Sequence, residues 1–168
     1  MSNLLQSYYD EHKREPAELF IHGRTRFSDE EWAGFREAVP NHINLVGVRI
    51  ARSQEMKLFA PGRVPVLRGT SHELSSRRAL LWTTGFIPQL ATYPGRETPN
   101  PLLIEVTRGE ASLPIVLADI MGLTKVNFNA CLFADGLPVT LRFADAVGEI
   151  LTAAPISEGA PLPFRHYI

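Results

Sequence analysis

Lys125, Asn127 and Asn129 occupy alternate positions in the stretch LTKVNFNACLFADGLPVTLRFADAVGEIL, residues 123–151. The stretch reads as the end of one helix, a short turn and a second helix. One cation, two side-chain amides and a helix start form a donor set suited to phosphate oxygens. The second helix adds Arg142, Asp145 and Glu149 on its polar side. A solvated helix junction with local capping offers the same residue types, so composition leaves both readings open.

Other chemistry-bearing residues are sparse. Cys131 is the single cysteine, which excludes an internal disulfide and multi-cysteine zinc clusters. The five histidines are scattered, with no pair at ligand spacing on one helix. His22 ends an apolar run, where it serves either as a metal ligand or as a hydrogen-bonded strand end. Asp145 lies three residues after Arg142 on one helix, so a local ion pair between them stands beside any catalytic reading. Arg165 beside His166 approaches phosphate or keeps the tail soluble. Arg77 and Arg78 read as a surface pair or a contact to a nucleic-acid target. Trp82 and Phe86 stack on bases or, at strand spacing, fill the core.

The elements that must position these residues follow from 168 residues carrying 45% hydrophobic and 21% charged side chains, enough for one domain with a core. The formal net charge of −1 excludes a molecule-wide basic field, so a nucleic-acid site has to be a local patch. The N-terminal segment lacks the apolar core of a signal peptide, and the most apolar run, residues 113–123, is short and broken by Asp119. These features predict a cytoplasmic, reduced protein with no membrane partner.

Residues 2–13 repeat apolar side chains at helical spacing, and Pro16 lies beyond them. ELFIH (18–22) predicts a buried strand. Ser28 and Glu31 form a capping box opening a helix with Trp32, Phe35 and Val39 on its apolar stripe. INLVGVRI (43–50) predicts a second strand, completing a βαβ unit that is right-handed by default. Residues 55–59 and 64–69 flank Ala60-Pro61-Gly62-Arg63 and predict a hairpin with a type II turn. ALLWTT (79–84) and PLLIEVT (101–107) predict two further strands. Ser112 is placed to cap a helix running to about Phe128, with Pro114 in its first turn. A last helix is expected over 139–153, and the chain ends in PLPFRHYI.

The segments ELFIHGRTRFSDEEW, NLVGVRI, PVLRGT, ALLWTTGFIPQLATYPG, PLLIEV, GLTKVNFN, LPVTLRFADAVGEIL and PFRHYI run through nearly the whole chain. In order and wording they resemble the C-terminal part of the PIWI domain of a long prokaryotic Argonaute. The resemblance implies an α/β fold over 1–168: a partial RNase H-like (PIWI) fold, with a mixed β-sheet flanked by helices and lacking the domain's N-terminal strands.

In active relatives, four acidic or related side chains hold two divalent metals that cleave a guide-paired target. The first two fall upstream of Met1. His22 stands at the third position and Asp145 at the fourth, so the implied catalytic set is degenerate. Two-metal cleavage must neutralise about four positive charges on ions roughly 4 Å apart, beyond one aspartate and one imidazole. The expectation is a catalytically inactive, non-enzymatic part of an Argonaute that binds guide RNA or DNA and target nucleic acid, in nucleic-acid-guided defence against foreign DNA. The alternative is a divalent-metal-dependent RNase H-like nuclease using Asp145, His22 and a neighbour such as Glu18.

The resemblance further assigns Lys125, Asn127, Asn129, Arg142 and Arg165 to nucleic-acid contact. It places the Ile168 C-terminal carboxylate at an Mg2+ ion holding the guide 5′-phosphate, and hard cations favour such oxygen ligands. The missing N-terminal and MID portion of the Argonaute is the implied partner. Without the first strand of the fold, the edge at residues 18–22 is left to self-association.

Overall fold

The computed structural model describes residues 2–59, 61–93, 97–126 and 136–153. They form a mixed α/β fold: a five-stranded sheet flanked by helices. Helix α1 (Ser2–His12) precedes β1 (Glu18–Gly23), α2 (Asp29–Glu37) and β2 (Asn44–Arg52). Strands β3 (Ser71–Ser75), β4 (Arg78–Leu81) and β5 (Leu102–Arg108) follow, then α3 (Leu113–Leu123) and α4 (Val139–Ala153). The sheet order is β1-β2-β5-β4-β3, with β1 and β2 parallel and the remaining pairs antiparallel.

The βαβ unit forms, but β1 is half-buried rather than the buried strand expected, because it lies at the sheet edge. The Ser28 hydroxyl accepts from the Glu31 amide, and the Glu31 carboxylate accepts from the Ser28 amide, closing the capping box. Asp29, Glu30 and Glu31 add negative charge at the positive end of the helix dipole. At the other end the Arg36 guanidinium donates to the carbonyls of Val39, Pro40 and Ile43, tying the end of the helix to the segment that leads into β2. Trp32 and Phe35 pack on one sheet face against Val39, Ile43 and Leu45, joined by Leu5 of α1. Gly47 makes this possible. A Cβ there would stand 3.1 Å from both Phe27 and Trp32, so a larger residue would lift the aromatic layer off the strand.

The opposite face carries the larger core. Val46, Val48, Ile104 and Val106 of the central strands meet Leu113, Val116 and Ile120 of α3 and Leu141 of α4. Alternation along β5 explains the split, because residues 102, 104 and 106 point to α3 while 103, 105 and 107 point to the other face. Strand β1 lies at the sheet edge, with β2 its one strand partner among the described residues. No helix among the described residues is long and apolar enough to cross a membrane.

Three expectations need correction. The hairpin over 55–69 does not form. The 64–69 segment instead pairs with residues after β4: the Phe86 amide donates to the Val66 carbonyl at 2.9 Å, and the Gly69 amide to that of Trp82 at 2.8 Å. Gly85 (φ +154°) permits the approach, since a Cβ there would collide with the Val66 oxygen. The hairpin that does form joins β3 to β4, and SHELS was missed because all five of its residues are exposed and carry no apolar alternation. Helix α3 stops at Leu123 rather than near Phe128, and the Ser112 side chain makes no capping bond. At that terminus the Thr124 hydroxyl donates to the Met121 carbonyl at 2.7 Å and accepts from Arg68 at 3.2 Å. Helix α4 matches its expected span, but of its apolar side Leu141 is buried while Leu151 is 46% exposed.

Candidate functional site

Strand β1 delivers His22 to the edge of the sheet, and α4 runs past that end. The His22 Nδ1 lies 2.9 Å from the Thr140 hydroxyl. Desolvation lowers the imidazole's pKa below its ordinary value, against a smaller opposing pull from Asp119. His22 is therefore neutral at pH 7, a state in which one ring nitrogen donates and the other accepts. Phe20, His22 and Thr140 together with Asp119, Leu123 and Val126 of the α3 end line a concavity of about 460 Å³.

Asp145, one turn beyond Thr140, forms an ion pair with Arg24, two residues past His22. The sequence pointed to Arg142 as the local ion partner. The fold instead supplies a guanidinium 121 positions away. His22 and Asp145 are thus brought to the same end of the fold, each tied to a neighbour: the imidazole to a hydroxyl and the carboxylate to a cation. Among the described residues no three His, Cys, Asp or Glu side chains gather as a metal site would need.

Lys125 follows the C-terminus of α3, exposed, with its amide on the Gly122 carbonyl at 2.9 Å. Its neighbour Val126 lines the concavity. Arg142 lies half-buried on α4, one turn before Asp145. Asn127, Asn129, Arg165 and Ile168 lie outside the described residues.

Two of the remaining candidates, Trp82 and Arg77, take structural roles. Trp82 is buried with Val66 and Leu80, and the Arg77 guanidinium donates to the carbonyls of Val106 and Gly109. Residues that sequence reasoning missed are Arg24, Thr140 and the polar cluster around Glu105. The signal available for them was the alternation of arginines in Gly23-Arg24-Thr25-Arg26 directly after a strand, and a lone acid inside the apolar run of β5. The loop after β1 sends Arg24 to Asp145 and Arg26 to Glu105.

No protein-family model matches the chain, and no curated protein matches it. Among solved structures, it is similar to the Argonaute of Clostridium butyricum bound to a guide DNA (5′ deoxycytidine) and a 19-mer target DNA. The similarity covers 91% of this chain and 20% of that one, at 22% identity and a TM-score of 0.67. The chain therefore spans about a fifth of that Argonaute's length, and the two share an Argonaute-type α/β fold over that segment.

Proposed function

We propose that the chain is the C-terminal portion of an RNase H-like PIWI domain and acts as a non-catalytic, nucleic-acid-binding part of an Argonaute. The fold likeness to a guide- and target-bound Argonaute supports the nucleic-acid reading. The observation that carries the non-catalytic reading is the Arg24–Asp145 pair. A carboxylate serving divalent metals must face them, and here a guanidinium takes it. The neutral imidazole of His22 supplies no negative charge. These residues do not fit a pair of catalytic metal ions, whose stabilisation needs several carboxylates.

In this reading the α3 terminus and α4 hold the sugar-phosphate backbone of guide RNA or DNA. Lys125 contributes charge just after α3, Arg142 charge on α4, and Asn127, Asn129 and Arg165 further donors. The Ile168 carboxylate is assigned to Mg2+ at the guide 5′-phosphate, with the MID portion completing that pocket. Cellular work in defence against foreign DNA and a cytoplasmic location belong to the same proposal.

The test is fluorescence anisotropy with a 5′-phosphorylated oligonucleotide, at rising salt and with Mg2+ or Mn2+ present. Binding should weaken as salt rises, because phosphate contacts release counterions, and the oligonucleotide should stay intact. Manganese-dependent cleavage lost in Asp145→Asn would establish the nuclease alternative instead.

A further inference from the structure

The face of the sheet opposite α4 carries a second charged cluster that the reading above does not use. Arg49 of β2, Glu105 of β5 and Arg78 of β4 stand side by side in register across three adjacent strands. Arg26 closes over them from the loop after β1. Its Nη2 and Nε donate to the two Glu105 oxygens at 2.6 and 3.2 Å, while Arg49 Nη1 reaches Oε2 at 3.4 Å and Arg78 Nε lies 3.9 Å from Oε1. The Glu105 side chain is 9% exposed, so the anion lies on the floor, while the Arg26 and Arg78 side chains are 65% and 47% exposed.

The charges do not balance. Arg26, Arg49 and Arg78 share the one Glu105 carboxylate. Arg77 spends its donors on neutral carbonyls, and Arg108 pairs with Asp29. Five guanidinium groups against two carboxylates leave an excess of three positive charges on a chain whose formal net charge is −1. Four of the five, Arg26, Arg77, Arg78 and Arg108, line a concavity of about 450 Å³, with Ser75 and Ser76 of the β3–β4 turn at its wall. Guanidinium forks and hydroxyls around one open space match the oxygens of phosphate.

We propose that this arginine-lined concavity is a phosphate-binding site, separate from the α4 side of the sheet. Its ligand is either the phosphodiester backbone of a nucleic acid or a free phosphate compound. The backbone case rests on the nucleic-acid reading above, whereas the free-phosphate case stands without it.

The experiment titrates pyrophosphate into the 168-residue chain, followed by amide NMR, and then repeats the titration with an oligonucleotide lacking a terminal phosphate. Pyrophosphate is expected to shift resonances of residues 75–78 and 105–108. Loss of one charge-assisted contact in Arg78→Ala should weaken binding about tenfold, while Arg63→Ala, an exposed cation outside the cluster, should not. Circular dichroism on Arg78→Ala keeps a folding failure distinct, and Arg78→Lys supplies a second variant that retains charge and should bind more weakly than the parent. Oligonucleotide competing with pyrophosphate assigns the backbone as ligand. Pyrophosphate binding with no competition assigns a free phosphate compound, and if no oligonucleotide binds anywhere the nucleic-acid reading fails while this site stands. Absence of the shifts, or equal affinity in parent and Arg78→Ala, overturns the proposal.

Discussion

The imidazole of His22 and the hydroxyl of Thr140, 118 positions apart in the chain, meet at 2.9 Å and join the end of the edge strand to the start of α4. That contact takes His22 into a desolvated setting, where its protonated form is disfavoured.

A pH dependence follows. The folded-state pKa of His22 lies below the ordinary 6.5, so below that pH the unfolded chain binds the extra proton first. Stability is fully present above the unfolded value and is lost as pH falls through it toward the folded value. Urea midpoints should drop between pH 7.5 and 5.5 in the parent and drop less in His22→Gln. Equal drops would remove His22 from the account.

A second acid-sensitive contribution sits at Glu105. Burial pushes its pKa up, but hydrogen bonds and charge from Arg26, with Arg49 and Arg78, outweigh burial and hold it below the ordinary 4.5. This contribution is present above the unfolded value and fades as pH falls through the folded one. Urea midpoints taken below pH 5 should therefore decline further in the parent than in Glu105→Gln.

The Arg24–Asp145 pair is a different case, because its side chains are 51% and 39% exposed. A double-mutant cycle with Arg24→Ala and Asp145→Asn should return a coupling of about 0.5 kcal/mol. Neither change should create metal-dependent cleavage. A coupling of several kcal/mol would mean that solvent does not reach the pair.

Two local substitutions probe the βαβ unit. Ser28→Ala removes the cap of α2 and should cost about 1 kcal/mol in chemical denaturation. Gly47→Ala drives a Cβ against Phe27 and Trp32 and should cost about 1–3 kcal/mol by overpacking. An unchanged midpoint for Gly47→Ala would show that the aromatic layer yields freely.

Among the described residues β1 pairs with a strand on one side alone, which predicts self-association of the isolated chain, since an edge strand invites strand addition. Light scattering should show mass rising with concentration. A monodisperse monomer at high concentration would refute it.

Much of the architecture was legible from local physics. The capping box at Ser28 and Glu31, the β-branched run of β2 and the amphipathic span of α4 each specify their own element through neighbours a few residues away. What the chain alone did not reveal is how distant segments choose partners. SHELS became a strand because β4 offered it hydrogen bonds, and residues 64–69 paired with the segment after β4 because Gly85 let the backbones close. Asp145 met Arg24 rather than its helix neighbour for the same reason: parallel pairing of β1 with β2 and packing of α4 beside β1 set which charges lie within reach. The arginine row around Glu105 likewise exists only once β2, β5 and β4 lie in register. Spacing along a chain encodes helices and strands, whereas ion partners depend on distances that only the closed sheet creates.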